Sequence, residues 1–326
     1  MSNIELEQAI ALYNSNEFKK AENILLQVIK YNNLDFNALN LLGAISAQRK
    51  DYKKSLEYLK ISLQINDLNY IALNNLGLVY LNLKKLDLAI LNFNKALKIN
   101  QNYSPLHNNI GNYYIEKKEF NEAIKSYGQA IKNNPDSFQA FNNIGLAHFH
   151  LKNFNESKQN YLQAIKLNKN YYEAYKNLGN LFSSFNKNIE AIECFSMAIK
   201  IKKNYSDAYL NRGETYYKIN NFKLAIKDLE TSIKYDEEKD RGTLFLAKLK
   251  TGDWNKINEQ VNSLKKKIFS TNFSILPFYS LSLTDSTFLQ KKNFENFIYN
   301  LNIKKNISFN LQKKIRLKLD TYLTIS

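Results

Sequence analysis

The sequence contains few of the residues that break or cross-link a chain. Among its 326 residues there are nine glycines, three prolines and one cysteine, Cys194. A single cysteine excludes an intrachain disulfide framework and is typical of a reducing compartment. Because glycine and proline are the strongest interruptions of regular structure, their scarcity favours helix over most of the chain.

Features of catalytic and metal-binding proteins are also missing. Only three histidines occur, and the two close together, His148 and His150, are two positions apart, which places them on different faces of a helix. Glycine-rich phosphate loops and zinc-ligand spacings are absent. The sequence therefore predicts no metal site, no cofactor and no catalytic residue.

Membrane and export signals are the third absence. No run of 18 apolar residues occurs, and the N-terminal residues MSNIELEQAI lack the basic start and apolar centre of a signal peptide. We therefore predict a cytoplasmic protein with no membrane partner.

The net charge of +16 is unevenly distributed along the chain. Residues 240–326 contain 15 Lys and Arg against 6 Asp and Glu, a net +9, which leaves +7 for the longer part before them. Such a basic surface is either a solvated face or a site for nucleic acid or another acidic partner. The solvated face is favoured, because lysine and asparagine are abundant throughout the chain, as a compositional bias would produce.

The sequence does contain an internal repeat with a constant period. Six of the nine glycines follow one another at intervals of 34 residues: Gly43, Gly77, Gly111, Gly145, Gly179 and Gly213. Twelve residues after each glycine comes a small residue: Ser55, Ala89, Ala123, Ser157, Ala191 and Ala225. Four residues later comes a large one: Leu59, Phe93, Tyr127, Tyr161, Phe195 and Leu229. Small residues facing large ones at helical spacing predict interlocking packing between two helices.

These columns and their period resemble the tetratricopeptide repeat family, whose unit is a helix-turn-helix of about 34 residues. The resemblance implies an all-α fold, a right-handed superhelix of about seven repeats, with a degenerate helical cap and linker at 240–326. The predicted repeats are 2–35, 36–69, 70–103, 104–137, 138–171, 172–205 and 206–239. The family's proline near the end of the second helix survives only as Pro135, so we expect softer helix ends. We also expect Ser104 to cap the first helix of its repeat.

An asparagine stands two residues before five of the glycines. This ladder is Asn75, Asn109, Asn143, Asn177 and Asn211. Asparagine in a helix interior costs about 0.5 kcal/mol relative to alanine, so its recurrence suggests a function or a relic of duplication and codon bias. Since a carboxamide both donates and accepts hydrogen bonds, we favour a ladder that binds an extended peptide backbone. The family resemblance places it on the concave surface.

A second resemblance lies after the repeats. The run Gly252-Asp253-Trp254, Pro277-Phe278 with Leu281, and Asp285 followed by Gln290 resemble the segment before the catalytic part of bacterial O-GlcNAc transferase-like proteins, glycosyltransferase family 41. The asparagine ladder is also a feature of that family. The family's catalytic residues have no matching positions before the chain ends at Ser326, so none is assigned.

Three functions follow from these observations. The leading prediction is a scaffold that binds an extended protein or peptide segment through the asparagine ladder. The alternative is the substrate-recognition part of a truncated or split glycosyltransferase, with a separate catalytic half as its partner. An RNA-binding solenoid that uses Lys265–Lys267, Lys313, Lys314 and Arg316 is the weaker alternative, and we regard a nucleic-acid partner as the less favoured one.

Overall fold

The computed structural model describes residues 2–239 and 242–251, and helices are the only regular elements in that part of the chain. Contacts between residues divide the chain into two compact units, Met1–Ala174 and Tyr175–Ser326. The linker motif of residues 252–290 and the basic tail lie outside the described residues.

The helices occur in pairs, and the pairs begin at the constant interval of the sequence repeat. The first members, here called A helices, are α1 (Ser2–Asn14), α3 (Phe36–Gln48), α5 (Tyr70–Asn82), α7 (Ser104–Lys117), α9 (Phe138–His150), α11 (Tyr172–Ser184) and α13 (Ser206–Lys218). The second members, the B helices, are α2 (Phe18–Tyr31), α4 (Tyr52–Ile65), α6 (Leu86–Ile99), α8 (Phe120–Asn133), α10 (Phe154–Leu167), α12 (Asn188–Ile201) and α14 (Phe222–Tyr235). The prediction of an all-α repeat solenoid is confirmed.

A large side chain of each B helix packs against the ladder glycine of its A helix. A Cβ atom placed on Gly111 would lie 2.4 Å from Cε1 of the buried Tyr127, and one on Gly77 would lie 2.5 Å from Cε1 of Phe93. The corresponding distances at the other ladder glycines are 2.6 Å at Gly43, 2.7 Å at Gly145, 2.6 Å at Gly179 and 2.8 Å at Gly213. Real carbon atoms do not approach this closely, so the two helices reach their observed separation only without a side chain there.

The small residues of the B helices also allow the A and B helices of a repeat to pack closely. The alanines of this column are fully buried: Ala89, Ala123, Ala191 and Ala225. Where the column carries Ser55 instead, the hydroxyl donates to the carbonyl oxygen of Gly43 at 2.7 Å. The buried serine is therefore satisfied by the A helix on which it packs.

The turn between the A and B helices contains one residue with a left-handed backbone in all seven pairs. Its φ lies between 57° and 64° at Asn16, Lys50, Lys84, Lys118, Lys152, Asn186 and Asn220. Asparagine tolerates this conformation, whereas the Cβ of lysine makes it unfavourable. Four lysine turns therefore carry a small strain that the helix packing overcomes.

Replacing Lys152 by glycine is expected to stabilise the protein by about 0.5–1 kcal/mol, because glycine adopts φ of 64° without the steric cost of a Cβ. No ion pair involving Lys152 occurs among the described residues, so little else is lost. The measurement is the midpoint of urea unfolding. Lys152→Ala, which keeps the Cβ, is the control, and an equal gain from alanine would contradict the strain.

Five of the B helices end one residue before an asparagine. These residues are Asn32, Asn66, Asn100, Asn134 and Asn168, and the side-chain oxygen of each accepts from the backbone N–H two residues later. This local bond turns the chain out of the helix. At Asn32, Asn66, Asn100 and Asn168 the asparagine supplies this turn without a proline, whereas Asn134 is followed by Pro135. The expectation of softer helix ends stays a prediction.

Ser104 does not cap its helix as expected. It is the first residue of α7, and its hydroxyl donates to the carbonyl oxygen of Ala130 on α8 at 2.8 Å. Ser62 and Ser206 make the same kind of bond, to Phe36 and Ser232 at 2.7 and 3.0 Å. The hydroxyl thus ties the start of an A helix to the last turn of its B helix rather than to the A helix's own backbone.

Helix α15 (Gly242–Lys250) packs on the last repeat. Leu244 and Ala247 are buried against Ala225 and Leu229. The ammonium group of Lys248 lies 2.6 Å from a carboxylate oxygen of Glu230. This helix, at the start of the predicted cap, therefore covers apolar surface of α14, and the rest of the predicted cap and linker lies outside the described residues.

Candidate peptide-binding site

In the first unit, the asparagine ladder lies where neighbouring A helices meet. Within the first unit, α1 contacts α3, α3 contacts α5, α5 contacts α7 and α7 contacts α9. Asn75, Asn143 and Asn211 are half-buried, whereas Asn109 and Asn177 are 9% and 8% exposed. Asn75, Asn109 and Asn143 thus sit at the seams between repeats of the first unit, and none of the five ladder residues is fully exposed.

Each ladder side chain in the first unit donates a hydrogen bond to the preceding repeat. The Nδ2 atoms of Asn75, Asn109 and Asn143 lie 3.0, 2.9 and 3.2 Å from the Oδ1 atoms of an asparagine 35 residues earlier. Those acceptors are Asn40, Asn74 and Asn108. Asparagines within one repeat also interact, since Asn142 donates to Oδ1 of Asn143 at 3.2 Å.

The acceptor asparagines are functional candidates that sequence reasoning missed. Asn40, Asn74 and Asn108 form a second column, one residue before the ladder position, and we call it the acceptor column. Its signal in the sequence is the doublet Asn-Asn, which occurs at 74–75, 108–109 and 142–143. A doublet does not by itself tell which partner each amide finds, because that depends on how one A helix lies against the next.

A third asparagine position strengthens the seams. Asn143 also donates to Oδ1 of Asn112 at 3.3 Å, and the hydroxyl of Tyr127 donates to the same oxygen at 2.7 Å. In the second unit, Asn211 donates to Oδ1 of Asn180 at 2.7 Å. The bonds Asn143–Asn112 and Asn211–Asn180 join different repeats, and each contributes about 0.5–1.5 kcal/mol to the junction, whereas the Tyr127 bond lies within one repeat.

The donated bonds fix the direction of the ladder amides. With Nδ2 bound to the preceding repeat, the carbonyl oxygen Oδ1 of each side chain points the other way along the planar amide. Within the described residues, no protein donor reaches Oδ1 of Asn109 or Asn211. These two oxygens are therefore acceptors without a protein donor in the described part of the chain.

The last repeat places an ion pair where the second to sixth repeats have an apolar residue. Arg212 precedes Gly213, and the equivalent residues are Leu42, Leu76, Ile110, Ile144 and Leu178. The guanidinium of Arg212 binds Asp228 through Nε at 2.6 Å and Nη2 at 2.9 Å, and its Nη1 donates to Ser196 at 2.8 Å. Asp228 is 4% exposed, so this bidentate pair is part of the packing rather than a surface charge.

The only cysteine is not a reactive thiol. Cys194 is half-buried on α12. Burial raises the pKa of its thiol to about 12, with smaller contributions from the carboxylates of Glu193 and Glu190. A thiol with so high a pKa carries almost no thiolate at neutral pH, and the thiolate is the form that attacks or binds metal.

Labelling of the folded protein by Ellman's reagent at about pH 8 is expected to be roughly 10³-fold slower than that of free cysteine, in proportion to the thiolate fraction. The rate should recover in denaturing urea. The raised pKa means that the folded state binds the thiol proton of Cys194 more tightly than the unfolded state does. The thiol's contribution to the free energy of unfolding is therefore fully present below the pKa of the unfolded state, and it is lost as the pH rises through the pKa of the folded state. Prompt stoichiometric labelling of folded protein would contradict this assignment.

His150 and His107 are both engaged by other residues of the fold. The ring of His150 stacks on Phe120 with centroids 4.8 Å apart, and burial lowers its pKa. Nε2 of His107 lies 2.6 Å from the carbonyl oxygen of Gln101. Within residues 2–239 and 242–251, no group of three or more His, Cys, Asp or Glu side chains is arranged to hold a metal ion.

Every helix in that part of the chain is too short or too polar to cross a membrane.

Sequence models of the tetratricopeptide repeat match most of the repeat region. The matched residues are 6–69, 70–103, 111–152, 138–171, 186–220 and 206–239. A search of curated proteins found no match. The resemblance to glycosyltransferase family 41 rests on residues outside the described part of the chain, so it stays a prediction, as do the separate catalytic half and the cytoplasmic location.

Solved structures with the same helical architecture match large parts of the chain. A tetratricopeptide repeat protein from Parabacteroides merdae is 18% identical over 76% of this chain and 98% of its own, with a TM-score of 0.58. A chain in the structure of the APC/C hetero-tetramer Cut9–Hcn1 is 16% identical to this one, with a TM-score of 0.66. The match covers 90% of this chain and 55% of that chain. PilF of Pseudomonas aeruginosa is 20% identical over 61% and 88%, with a TM-score of 0.50. These likenesses describe the fold and not the ligand.

Proposed function

The chain belongs to the tetratricopeptide repeat proteins, and from that premise we propose that it is a scaffold that holds an extended segment of a partner protein along its A helices. When repeats stack, the side chains at one equivalent helix position line up in a row along the stack. Such a row can contact an extended partner segment that crosses several repeats. On this proposal the protein acts by binding and positioning its partner.

The asparagine ladder is the proposed contact row. Its support is the fixed direction of the amides, since the Nδ2 atoms of four ladder residues donate to the preceding repeat. Among the described residues, the oxygens of Asn109 and Asn211 have no protein donor. An acceptor that is already oriented loses little freedom when it binds a backbone N–H. Because only backbone groups are recognised, the ladder would tolerate varied partner side chains.

The test must separate binding from stability, because the ladder amides also join repeats. The ladder variant Asn75→Ala/Asn109→Ala/Asn143→Ala removes the proposed contacts together with the cross-repeat bonds. The matched control Asn40→Ala/Asn74→Ala/Asn108→Ala removes the acceptors of the same bonds and keeps the ladder side chains. Both variants are expected to lower the urea midpoint by similar amounts.

Binding is measured by fluorescence anisotropy with a peptide selected on the wild-type protein from a random library. At about 0.5–1.5 kcal/mol for each of the three lost bonds, the ladder variant should bind the peptide roughly 10- to 2,000-fold more weakly. The acceptor variant should bind within a few-fold of wild type. Equal losses in both variants would show that the asparagines serve stability alone, and unchanged binding in both would place the peptide elsewhere.

A further inference from the structure

A cleft of about 790 Å³ lies between the last turns of α6 and α8. From α6 it is lined by Leu91, Lys95 and Lys98, from α8 by Gln129 and Lys132, and from α7 by His107, among other residues. No ladder asparagine lines it. The cleft is therefore a second concave surface, formed mainly by B helices, that the proposed peptide-binding function does not use.

The charge of the cleft has one sign. Lys95, Lys98 and Lys132 are exposed, and no ion pair with another described residue involves them. No aspartate or glutamate lines the cleft. Three ammonium groups around one concavity, without a neutralising carboxylate, create a positive potential that a concave shape concentrates.

Stabilisation of a helix C-terminus explains Lys98 and Lys132 but not Lys95. A lysine in the last turn of a B helix recurs at Lys98, Lys132, Lys166, Lys200 and Lys234, where it complements the negative end of the helix dipole. Lys95 stands one turn earlier. The equivalent residues of the other B helices are Gln27, Ile61, Gln129, Gln163, Met197 and Thr231. The cleft between α6 and α8 thus has a charge at a position that is uncharged in every other repeat.

Apolar surface lies beside these charges. Leu91 is 50% exposed and Leu97 is half-buried, and both line the cleft. No phenylalanine, tyrosine or tryptophan lines it, and the one aromatic ring among its lining residues is the imidazole of His107, whose Nε2 lies 2.6 Å from the carbonyl oxygen of Gln101. The cleft therefore offers no row of rings on which successive bases could stack. Carboxylates next to an aliphatic group fit this surface better than phosphates and bases do.

We propose that this cleft binds an acidic segment of a partner protein, with carboxylates on Lys95, Lys98 and Lys132 and one aliphatic side chain on Leu91. The argument rests on charge complementarity and on the apolar surface of Leu91 and Leu97 beside the lysines. It does not depend on the asparagine ladder, so either interaction can fail without the other.

The probe is a short fluorescein-labelled peptide of glutamates around a central leucine, titrated in about 0.05 M salt so that surface charges are weakly screened. The cleft variant is Lys95→Glu/Lys98→Glu/Lys132→Glu. The matched control, Lys166→Glu/Lys200→Glu/Lys234→Glu, changes the net charge equally and replaces last-turn lysines outside the cleft. Circular dichroism and melting curves check both folds, and Lys95→Gln/Lys98→Gln/Lys132→Gln replaces the cleft variant if charge reversal prevents folding.

The cleft variant is expected to bind the peptide at least about 10-fold more weakly, and the control less than about 3-fold more weakly. Leu91→Ser should weaken binding of the leucine-containing peptide by a few-fold and leave an all-glutamate peptide unaffected. Equal losses in the cleft variant and the control would overturn the proposal, because they would reflect long-range charge alone. Tighter binding of an oligothymidylate of equal charge, lost in the cleft variant, would also overturn it and assign the cleft to nucleic acid.

Discussion

Replacing Gly111 by alanine is expected to destabilise the protein by about 1–3 kcal/mol. The new Cβ would lie 2.4 Å from Cε1 and 2.7 Å from Cζ of the Tyr127 ring, which is buried and has no room to move aside. Either α7 and α8 separate, or the ring leaves its position. Urea unfolding monitored by circular dichroism measures the loss as a lower midpoint.

Gly128→Ala is the matched control for this change. Gly128 lies on α8 in the same repeat, is exposed, and has nothing within 4 Å of an added Cβ. Alanine there should stabilise by up to about 1 kcal/mol, because it is the better helix former. The same substitution is thus expected to have opposite signs at two glycines of one repeat. If Gly111→Ala were also neutral or stabilising, the close contact with Tyr127 would not be what keeps that position glycine.

Removing one partner of the Arg212–Asp228 pair is expected to cost about 3 kcal/mol or more. Arg212→Leu leaves the carboxylate of Asp228, 4% exposed, without its bidentate partner. Asp228→Asn leaves a guanidinium that is mostly buried and packed against the rings of Tyr209 and Tyr216, 5.6 and 6.0 Å away. Each single variant should therefore weaken the last repeat.

The double variant Arg212→Leu/Asp228→Asn should recover stability to within about 1 kcal/mol of wild type, since it removes both charges together and leaves neither one buried without its partner. It copies the combination in the third repeat, where Leu76 is buried and Asn92 donates to the carbonyl oxygen of Leu88 at 2.7 Å. The chain thus contains its own template for the rescue.

Hydrogen exchange is the appropriate measurement, because repeats interact mainly with their neighbours and unfold locally. In the single variants, amides of α13 and α14 should exchange faster while those of α5 and α6 stay unchanged. The double variant should restore protection in α13 and α14. Additive losses in the double variant would show that the two side chains do not act as a pair.

Much of the repeat packing could be predicted from residue spacing. A glycine, a small residue twelve positions later and a large one four positions after that describe how two adjacent helices fit, and all three belong to one repeat. Such contacts are local, so a regular period in the sequence produces a regular period in space. The seven turns with positive φ follow the same period, although lysine at four of them gave no sign of it.

The candidate sites could be predicted only in part. Reasoning from helix position found the ladder residues but not their bonds to Asn40, Asn74 and Asn108, because the relative placement of two A helices selects those partners. Ser104 shows the same limit. Local capping rules predicted a bond within α7, whereas the hydroxyl bonds to Ala130 on the neighbouring helix.

The sequence by itself therefore determined the helical class, the period of the repeat and the columns on which glycines and large side chains meet. These features depend on side-chain size at fixed helical spacing, which is written directly in the order of residues. Only the tertiary structure decided which amides of the ladder are engaged and that Lys95 and Lys98 share a cleft with Lys132. Those juxtapositions join residues from different repeats, and their distances depend on how one helix pair packs against the next.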